Sequence, residues 1–542
     1  MKTVVAGALG ECVHVAGVTS FLRLAEIAGW RTVFLGPAVS VEHFVQAIKE
    51  EKADLVGVSY RLTPENGERL LGEFAEAASE LHESGVRFVF GGTPPVAQRA
   101  QALGRFFENF FDGSQPTDEV LAFLRGESQA GEAALNYPQD LISRIAWKTP
   151  YPLLRHHFGL PTMEASLDGI AKITEAKALD VISLGIDQDA QANFFHPERQ
   201  NPRAKGAGGV PVRSDQDYRD LFAASRRGNF PLMRTYSGTD DFIRLAEMYV
   251  ETINIAWCAI PLFWFNLMDG RGPIPLKESI QEHQEVMAWY ARKNIPVELN
   301  EPHHWGMRDA SDVVYVTSAY LSAYNAKAFG VSDYIAQMMF NSPPNLSDAM
   351  DLAKMLAILE MIAALEDENF RIWRQTRTGL LSYPLEDNAA RAHLATSIYL
   401  QMALKPHIIH IVGHTEADHA ATASDVIAAS LAARRSIENA LAGQPDMTVD
   451  PTIQARKKYL IEQAQITLQA IKNISKESAE DPLTDPATLA QAVRLGILDA
   501  PQLKNNAFAP GAVRTRVLDG ACETVDENGK IIDEQTRLQS YL

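Results

Sequence analysis

The chain has 542 residues, a formal net charge of −18 and a pI near 5.3. That length accommodates at least two domains, and the acidity excludes nucleic acid as a main partner, since no basic block is available to neutralise phosphates. Its three cysteines, Cys12, Cys258 and Cys522, are far apart, which excludes a disulfide framework, a zinc site of closely spaced ligands and a radical S-adenosylmethionine cluster.

Residues 1–126 alternate short apolar runs with helical segments. Strands are expected at Thr3–Ala8, Thr32–Leu35, Leu55–Ser59, Phe88–Phe90 and Phe107–Phe111. Helices are expected between them, at Val18–Ala28, Val41–Glu50, Glu65–Glu83, Val96–Leu103 and Thr117–Phe123. Five strands separated by helices predict a doubly wound parallel sheet of flavodoxin (Rossmann-like) type, which binds ligands at the carboxyl ends of its strands. Residues 127–159, opening on Gly126–Gly131 and running through Pro138, Pro150 and Pro152, read as a linker.

A second alternating pattern with longer periods spans residues 160–442. Strands are expected at Ala178–Gly185, Pro231–Arg234, Ile253–Ala259, Pro296–Glu298, Tyr334–Met339, Phe370–Arg374 and His407–Val412, with clear helices between them. Seven strands and one unplaced predict a (β/α)8 TIM barrel with its chemistry just after the strands; an open α/β sheet is the alternative. Residues 443–542 read as a helical extension with a small hairpin turned at Asn528-Gly529. No apolar stretch is long enough to span a bilayer and Met1-Lys2-Thr3 leads directly into a strand-like run, so a cytoplasmic protein without a signal peptide is expected.

Three motifs sit at successive strand ends of the first domain. Gly10-Glu11-Cys12-Val13-His14-Val15-Ala16-Gly17 places an imidazole in a loop between strand and helix. Ser59 ends a strand and is followed by Leu62, and Gly91-Gly92-Thr93 ends another. Together these resemble the D-x-H-x-x-G, S-x-L and G-G motifs of cobalamin-binding domains. The resemblance implies that His14 ligates cobalt, that Ser59 contacts the nucleotide tail, and that Gly91 and Gly92, lacking Cβ, let the tail approach the backbone. Cys12, Gly17, Leu62 and Thr93 complete the implied cofactor site. Two departures stand out: Cys12 replaces the Asp that fixes the histidine tautomer in that family, and Leu62 lies one residue late.

The second half resembles the large, barrel-forming subunit of glutamate mutase, over about residues 180–520. The points of similarity are Ile186-Asp187 with Asn193, Pro231-Leu232 with Arg234 and Gly238-Thr239, Asn300-Glu301-Pro302, Glu416-Ala417 and Gly496-Ile497-Leu498-Asp499. The resemblance implies a small corrinoid-binding part fused ahead of the barrel, a barrel mouth capping the corrinoid, and a homodimer. It makes Arg234 a grip on a substrate carboxylate, since a guanidinium fork binds carboxylate bidentately. Asp187 and Asn300 join it as candidate substrate contacts. A second family arginine falls at Gln191, the catalytic glutamate near Cys258-Ala259, a tyrosine near Phe265 and a lysine at Val412. The glutamate-specific pocket is thus largely absent, and glutamate is not the expected substrate.

Glu301, His303 and Glu416 are the candidates for general acid–base work at neutral pH. Arg271, Arg374 and Arg377 are candidates to restore an anion grip, although surface ion pairs are the commoner use of any one such arginine. The run Pro261–Asn266 offers apolar walls that exclude water from a radical, or simply a buried strand. His407, His410, His414 and His419 read either as metal ligands or as residues flanking a core strand. The resemblance implies an adenosylcobalamin-dependent radical carbon-skeleton isomerase acting on a small carboxylate. The alternatives are methylcobalamin-dependent methyl transfer, a corrinoid carrier or sensor, and a domain that has lost the corrinoid.

Overall fold

The computed structural model describes residues 2–113, 115, 117–126, 137–475 and 481–542. It divides into two compact units, Met1–Asn136 and Tyr137–Leu542. Most of the stretch read as an opening linker, 127–136, lies outside the described residues.

The first unit carries β1 (Thr3–Leu9), β2 (Arg31–Val39), β3 (Leu55–Tyr60), β4 (Arg87–Gly92) and β5 (Asn109–Phe111). They form one parallel sheet in the order β2-β1-β3-β4-β5. β1 is buried along its whole length. Val5 packs into one apolar layer, while Val4 and Ala6 pack into the other. That two-sided burial is why its sequence reads as a continuous apolar run rather than an alternation. The order reverses between β1 and β3, so the ligand crevice of such a sheet falls at their carboxyl ends. The expected helix Glu65–Glu83 is two helices, Pro64–Ala77 and Ser79–Glu83. Ser79 Oγ donates to Glu76 O at the break, a local bond that competes with helix continuation.

The second unit is an eight-stranded, nearly closed parallel barrel. Its strands are β6 (Leu153–Phe158), β7 (Val181–Leu184), β8 (Leu232–Arg234), β9 (Cys258–Ile260), β10 (Val297–Leu299), β11 (Asp333–Phe340), β12 (Arg371–Thr378) and β13 (Ile408–His410). Hydrogen-bonded order runs β8-β7-β6-β13-β12-β11-β10-β9. The seam between β8 and β9 has no ladder, but Ala256 N donates to Met233 O across it at 2.8 Å.

The strand missing from the sequence reading is β6, which lies within the predicted linker, behind the helix Leu141–Lys148. It escapes because its middle reads Arg155-His156-His157, which breaks the apolar signature. The helix before it lies against the barrel floor: Leu141 and Ile145 join Leu153, Val181, Leu232, Ile335 and Ile408 in one apolar cluster. Lys148 pairs there with Asp180, both buried. Two other strand expectations shift. Ile253 ends the helix Phe242–Ile253, so β9 starts only at Cys258, and β12 runs on to Thr378, which brings Arg377 into the strand.

The C-terminal extension holds the long helix Pro451–Asn473 and the hairpin β14 (Thr515–Leu518) and β15 (Ala521–Thr524). The hairpin turns at Asp519-Gly520, both with positive φ (49° and 79°), as a tight two-residue turn requires. The expected Asn528-Gly529 turn is flanked only by a single bridge, Val525 to Ile531. Ser347 N donates to Gly520 O, and Arg456 reaches Asp312 at 3.0 Å, so the extension is tied to the barrel helices.

Candidate functional site

In the first unit the chain leaves β1 through Gly10, whose φ is +59° and where a Cβ would stand 2.7 Å from Leu70. Glycine adopts this φ without the strain that a side chain would bring. Gly10 N donates to Val39 O, and Cys12 O accepts from Ala38 N, so the loop is anchored on the end of β2. That anchorage buries Cys12 completely and leaves His14 exposed. Cys12 Sγ lies 4.0 Å from His14 Nδ1. With Nδ1 turned towards sulfur, Nε2 is the nitrogen left for an external ligand, and it has no partner among the described residues.

Behind this loop a cleft of about 450 Å³ runs beside the helix Ala16–Ile27 and over the ends of β3 and β4. Gly17, Ser59, Gly91, Gly92 and Thr93 all line it. The two glycines differ. A Cβ on Gly91 would meet nothing nearer than Phe111 O at 3.8 Å, so its hydrogen keeps the cleft open. A Cβ on Gly92 would stand 2.6 Å from Tyr60 O and 2.7 Å from the Phe90 ring, so that glycine serves the packing of the sheet. Thr93 precedes the helix Pro94–Gln101 without capping it, so its side chain is not committed to the helix. Leu62 does not line the cleft and is 40% exposed; Arg61 lines it instead, as the one-residue offset of the motif dictates.

The barrel interior is polar. On β6, Arg155 donates from Nη1 to Glu298 Oε2 of β10 at 3.3 Å and from Nη2 to His410 Nδ1 of β13 at 2.7 Å. Arg234 at the end of β8 places Nη1 3.6 Å from the same carboxylate oxygen. Trp257 Nε1 donates to it at 2.6 Å. Burial alone pushes the Glu298 carboxyl up, but Arg155, Arg234 and Trp257 more than reverse this and hold it below the ordinary range. Arg377, near the end of β12, is 6% exposed and has no hydrogen bond or ion pair among the described residues. Burial lowers its pKa, yet a guanidinium keeps its proton at neutral pH. Arg155 and Arg234 thus face one carboxylate inside the barrel, and Arg377 stands buried without such a partner among the described residues.

Around them stand four imidazoles, with His303, His304 and His410 buried and His157 half-buried. His157 stacks on Tyr236 with ring centroids 5.1 Å apart, its Nε2 3.3 Å from the phenol oxygen. His303 Nδ1 lies 3.3 Å from Gln337 Nε2, and the His303 and His304 rings are 4.3 Å apart. Burial, and then the neighbouring positive groups, push His157, His303, His304 and His410 well below the usual histidine range, so all four are neutral. Asn300 Oδ1 and both His304 nitrogens are buried without partners. A cavity of about 360 Å³ opens at the carboxyl ends of β6, β7 and β13, lined by His157, Gly413, Thr415 and Glu416 among others. Glu416 stands exposed on that rim; its protein surroundings raise its carboxyl while Arg377 lowers it.

Several expected site residues have structural work instead. Glu301 is fully buried and accepts three hydrogen bonds: from Leu262 N at 2.7 Å, Phe263 N at 2.9 Å and Trp305 Nε1 at 2.7 Å. Both oxygens are committed, so Glu301 fixes the loop after β9 rather than facing a substrate. Burial pushes it up to about 7, against those hydrogen bonds. Asp187 caps the helix Gln188–Ala192 through Ala190 N and receives a bidentate Arg213 at 2.8 and 2.7 Å, so it is not a free substrate contact. Cys258 is a buried thiol on β9, its pKa raised by burial, in the region where the resemblance puts a catalytic acid. Phe263, Trp264 and Phe265 are buried, but in the loop after β9 rather than in a strand. Arg271 pairs with Asp269 at 3.5 Å, and Arg374 donates to Lys405 O, so neither joins Arg377. The four expected metal histidines do not converge. His407 accepts from Arg374 N, His410 faces the interior, His414 lies 3.7 Å from Asp387, and His419 pairs with Asp418.

The comparisons with known proteins bear on the first unit. Residues 2–121 match the B12 binding domain family. The first unit is a B12-binding domain. Glutamate mutase sigma subunit 1 of Haloarcula marismortui (strain ATCC 43049 / DSM 3752 / JCM 8966 / VKM B-1809) is 29% identical over 136 residues, 24% of this chain and 87% of that subunit. Sigma subunit 2 of the same organism is 28% identical over 137 residues, 23% of this chain and 88% of that subunit. Among solved structures, a novel cobalamin-binding protein from Desulfitobacterium hafniense DCB-2 shows 25% identity at a TM-score of 0.20 over 23% of this chain, which spans 58% of that protein. The B12-binding domain fits a corrinoid on its own geometry. Its lining offers an exposed imidazole with Nε2 free among the described residues, an open face at Gly91 and a Thr93 hydroxyl that does not cap its helix, a set compatible with such a group. Among the described residues no helix is long and apolar enough to cross a membrane.

Proposed function

We propose that the chain is an adenosylcobalamin-dependent carbon-skeleton mutase acting on a small carboxylate other than glutamate. The observation that carries this reading is the pairing of Arg155 and Arg234 with Glu298 inside the barrel, with Arg377 buried on β12 and without a hydrogen bond or ion pair among the described residues, in a chain that also has a B12-binding domain. In the cofactor site His14 would hold the cobalt, with Cys12 orienting its ring, and Ser59, Gly91 and Thr93 would hold the nucleotide tail. Adenosylcobalamin, when bound, would supply the radical chemistry for hydrogen-atom transfer to and from the substrate.

The chain's own residues have three tasks. Arg377 and Arg234 bind and orient the carboxylate, since planar forks impose direction as well as charge. His303, neutral and held at Nδ1 beside Gln337, is placed to hold or move a proton at Nε2, and Glu416 does the same from the rim. The buried run Phe263-Trp264-Phe265, pinned by Glu301, keeps water from reactive intermediates.

The test is the ultraviolet–visible spectrum of the full chain loaded with adenosylcobalamin, beside His14→Ala. A base-off, histidine-on spectrum that disappears in the variant supports the reading. Absence of corrinoid binding by the parent protein would overturn it. A methyl-transfer activity with methylcobalamin, without hydrogen exchange into the adenosyl group, would replace it.

A further inference from the structure

A cavity of about 830 Å³ lies at the opposite end of the barrel, where the chain enters β6 and β13. Barrel chemistry sits at the carboxyl ends of the strands, and the amino ends ordinarily serve stability alone. Part of the cavity wall is apolar: Leu356, Leu359, Met402 and Met447. Arg374, Lys405 and His407 also line it. Arg374 and Arg377 are three residues apart on β12, so they project to opposite faces of that strand, and this cavity does not belong to the barrel interior.

The polar groups of this lining are not spent on the fold. His407 N donates to Arg374 O at 2.9 Å, and His407 Nδ1 accepts from Arg374 N at 3.0 Å, so the two residues are locked side by side. Burial, and then the nearby guanidinium, push His407 down to about 4, so its ring is neutral. With Nδ1 an acceptor, the single ring proton sits on Nε2, a donor without a partner among the described residues. Arg374 uses Nε on Lys405 O at 3.0 Å, and its two terminal nitrogens have no hydrogen bond or ion pair among the described residues. Burial lowers its pKa, yet a guanidinium keeps its proton at neutral pH. Glu366, which acts on Arg374 through space, is exposed, accepts from Ile372 N and does not line the cavity. The carboxylate in the lining is Asp446, held below the ordinary range by Thr448 and, to a lesser degree, by Lys405. Two cations therefore stand against one carboxylate, with an N–H donor in hand.

We propose that this cavity binds an organic monoanion with an apolar body, of the class of a medium-chain carboxylate. Its head would sit on the terminal nitrogens of Arg374 and on His407 Nε2, and its chain along Leu356, Leu359, Met402 and Met447. Water satisfies the donors but leaves the apolar walls wet, whereas an amphipathic anion serves both. The single positive charge in excess matches one negative charge on the ligand, and the volume is that of an ordinary small-molecule site. This site is separate from the corrinoid cleft and from the barrel mouth, so it does not rest on the mutase reading.

The experiment is isothermal titration of the full chain with octanoate, octan-1-ol, butyrate and inorganic phosphate. Octanoate is expected to saturate one site and to bind about tenfold or more tightly than octan-1-ol, which lacks the charge, and than butyrate, which lacks most of the chain. Arg374→Gln is expected to weaken octanoate about tenfold, towards the affinity of octan-1-ol. Lys405→Gln changes an exposed side chain, is expected to weaken octanoate severalfold, and serves if the Arg374 variant does not fold. Arg377→Gln, on the other face of β12, should leave octanoate binding unchanged. Three results would overturn the inference. One is the absence of saturable octanoate binding. Another is phosphate binding as tightly as octanoate, which would mean that the apolar walls contribute nothing. The third is octanoate affinity that survives Arg374→Gln and Lys405→Gln but is lost in Arg377→Gln, which would place the bound anion in the barrel interior.

Discussion

Glu298 holds two buried guanidinium groups and an indole on one carboxylate, and its removal should be felt throughout the barrel. Glu298→Gln preserves shape and the acceptor for Trp257 Nε1 but deletes the negative charge beside Arg155 and Arg234. Breaking a buried pair from one side costs about 3–5 kcal/mol, because the remaining charge stays desolvated. With an unfolding entropy of ~2.1 cal/mol/K per residue over a unit of roughly 400 residues, 4 kcal/mol corresponds to a fall of about 5 °C in melting temperature. Calorimetry of the variant against the parent at neutral pH measures it. The double variant Glu298→Gln/Arg155→Gln should recover much of the loss, since it removes one of the stranded cations. The pH dependence has a definite sign. The folded pKa of Glu298 lies below its ordinary value of 4.5, so its contribution is complete above that pH and disappears as pH falls through the folded value. The gap between parent and variant should therefore close in acid. A loss below about 1 kcal/mol at neutral pH would refute the reasoning, because it would mean that the interior screens these charges as water does.

Glu301 should act in the opposite direction. Its folded pKa, raised by burial to about 7 from 4.5, favours the protonated form, so stability is lost as pH rises through that window, by about 3 kcal/mol, and Glu301→Gln should flatten this part of the melting-temperature profile. Gly92→Ala should destabilise the first unit by about 1–3 kcal/mol through the collision with Tyr60 O, as chemical denaturation would read. Gly91→Val should leave that stability nearly unchanged and instead weaken cobalamin uptake in equilibrium dialysis; equal effects of the two would dissolve the distinction between them. Cys12→Asp should keep or sharpen the histidine-on spectrum and Cys12→Ala should weaken it, if sulfur orients Nδ1 of His14.

The first unit was legible because its candidate site residues are local. His14, Ser59 and Gly91 each sit within a few residues of a strand end, and the strands that deliver them are buried on both faces and read as apolar runs. What local sequence does not reveal is which of the two glycines lining the cleft has room for a Cβ and which is packed against the sheet, because that depends on Tyr60 and Phe111 from other strands.

The barrel reverses that relation. Its interior takes single side chains from strands far apart in sequence: Arg155 meets Glu298 across 143 residues and His410 across 255. No local pattern carries such a constellation. Worse for pattern reading, a polar interior removes the apolar signal by which strands are recognised. β6 was missed because Arg155 and His157 point where an ordinary barrel has valine or isoleucine. β12 was cut short at Arg374, three residues before the unpaired Arg377. Conversely, Asp187 and Glu301 look like site carboxylates because they sit at strand ends, yet the same position suits a helix cap or a loop clamp, and the structure uses them so. The failures of the strand reading and the location of the buried charges are thus one observation. Where eight strands enclose charged groups, the segments that look least like strands hold those groups, and an unplaced strand before the first apolar one is the place to search for a missing arginine.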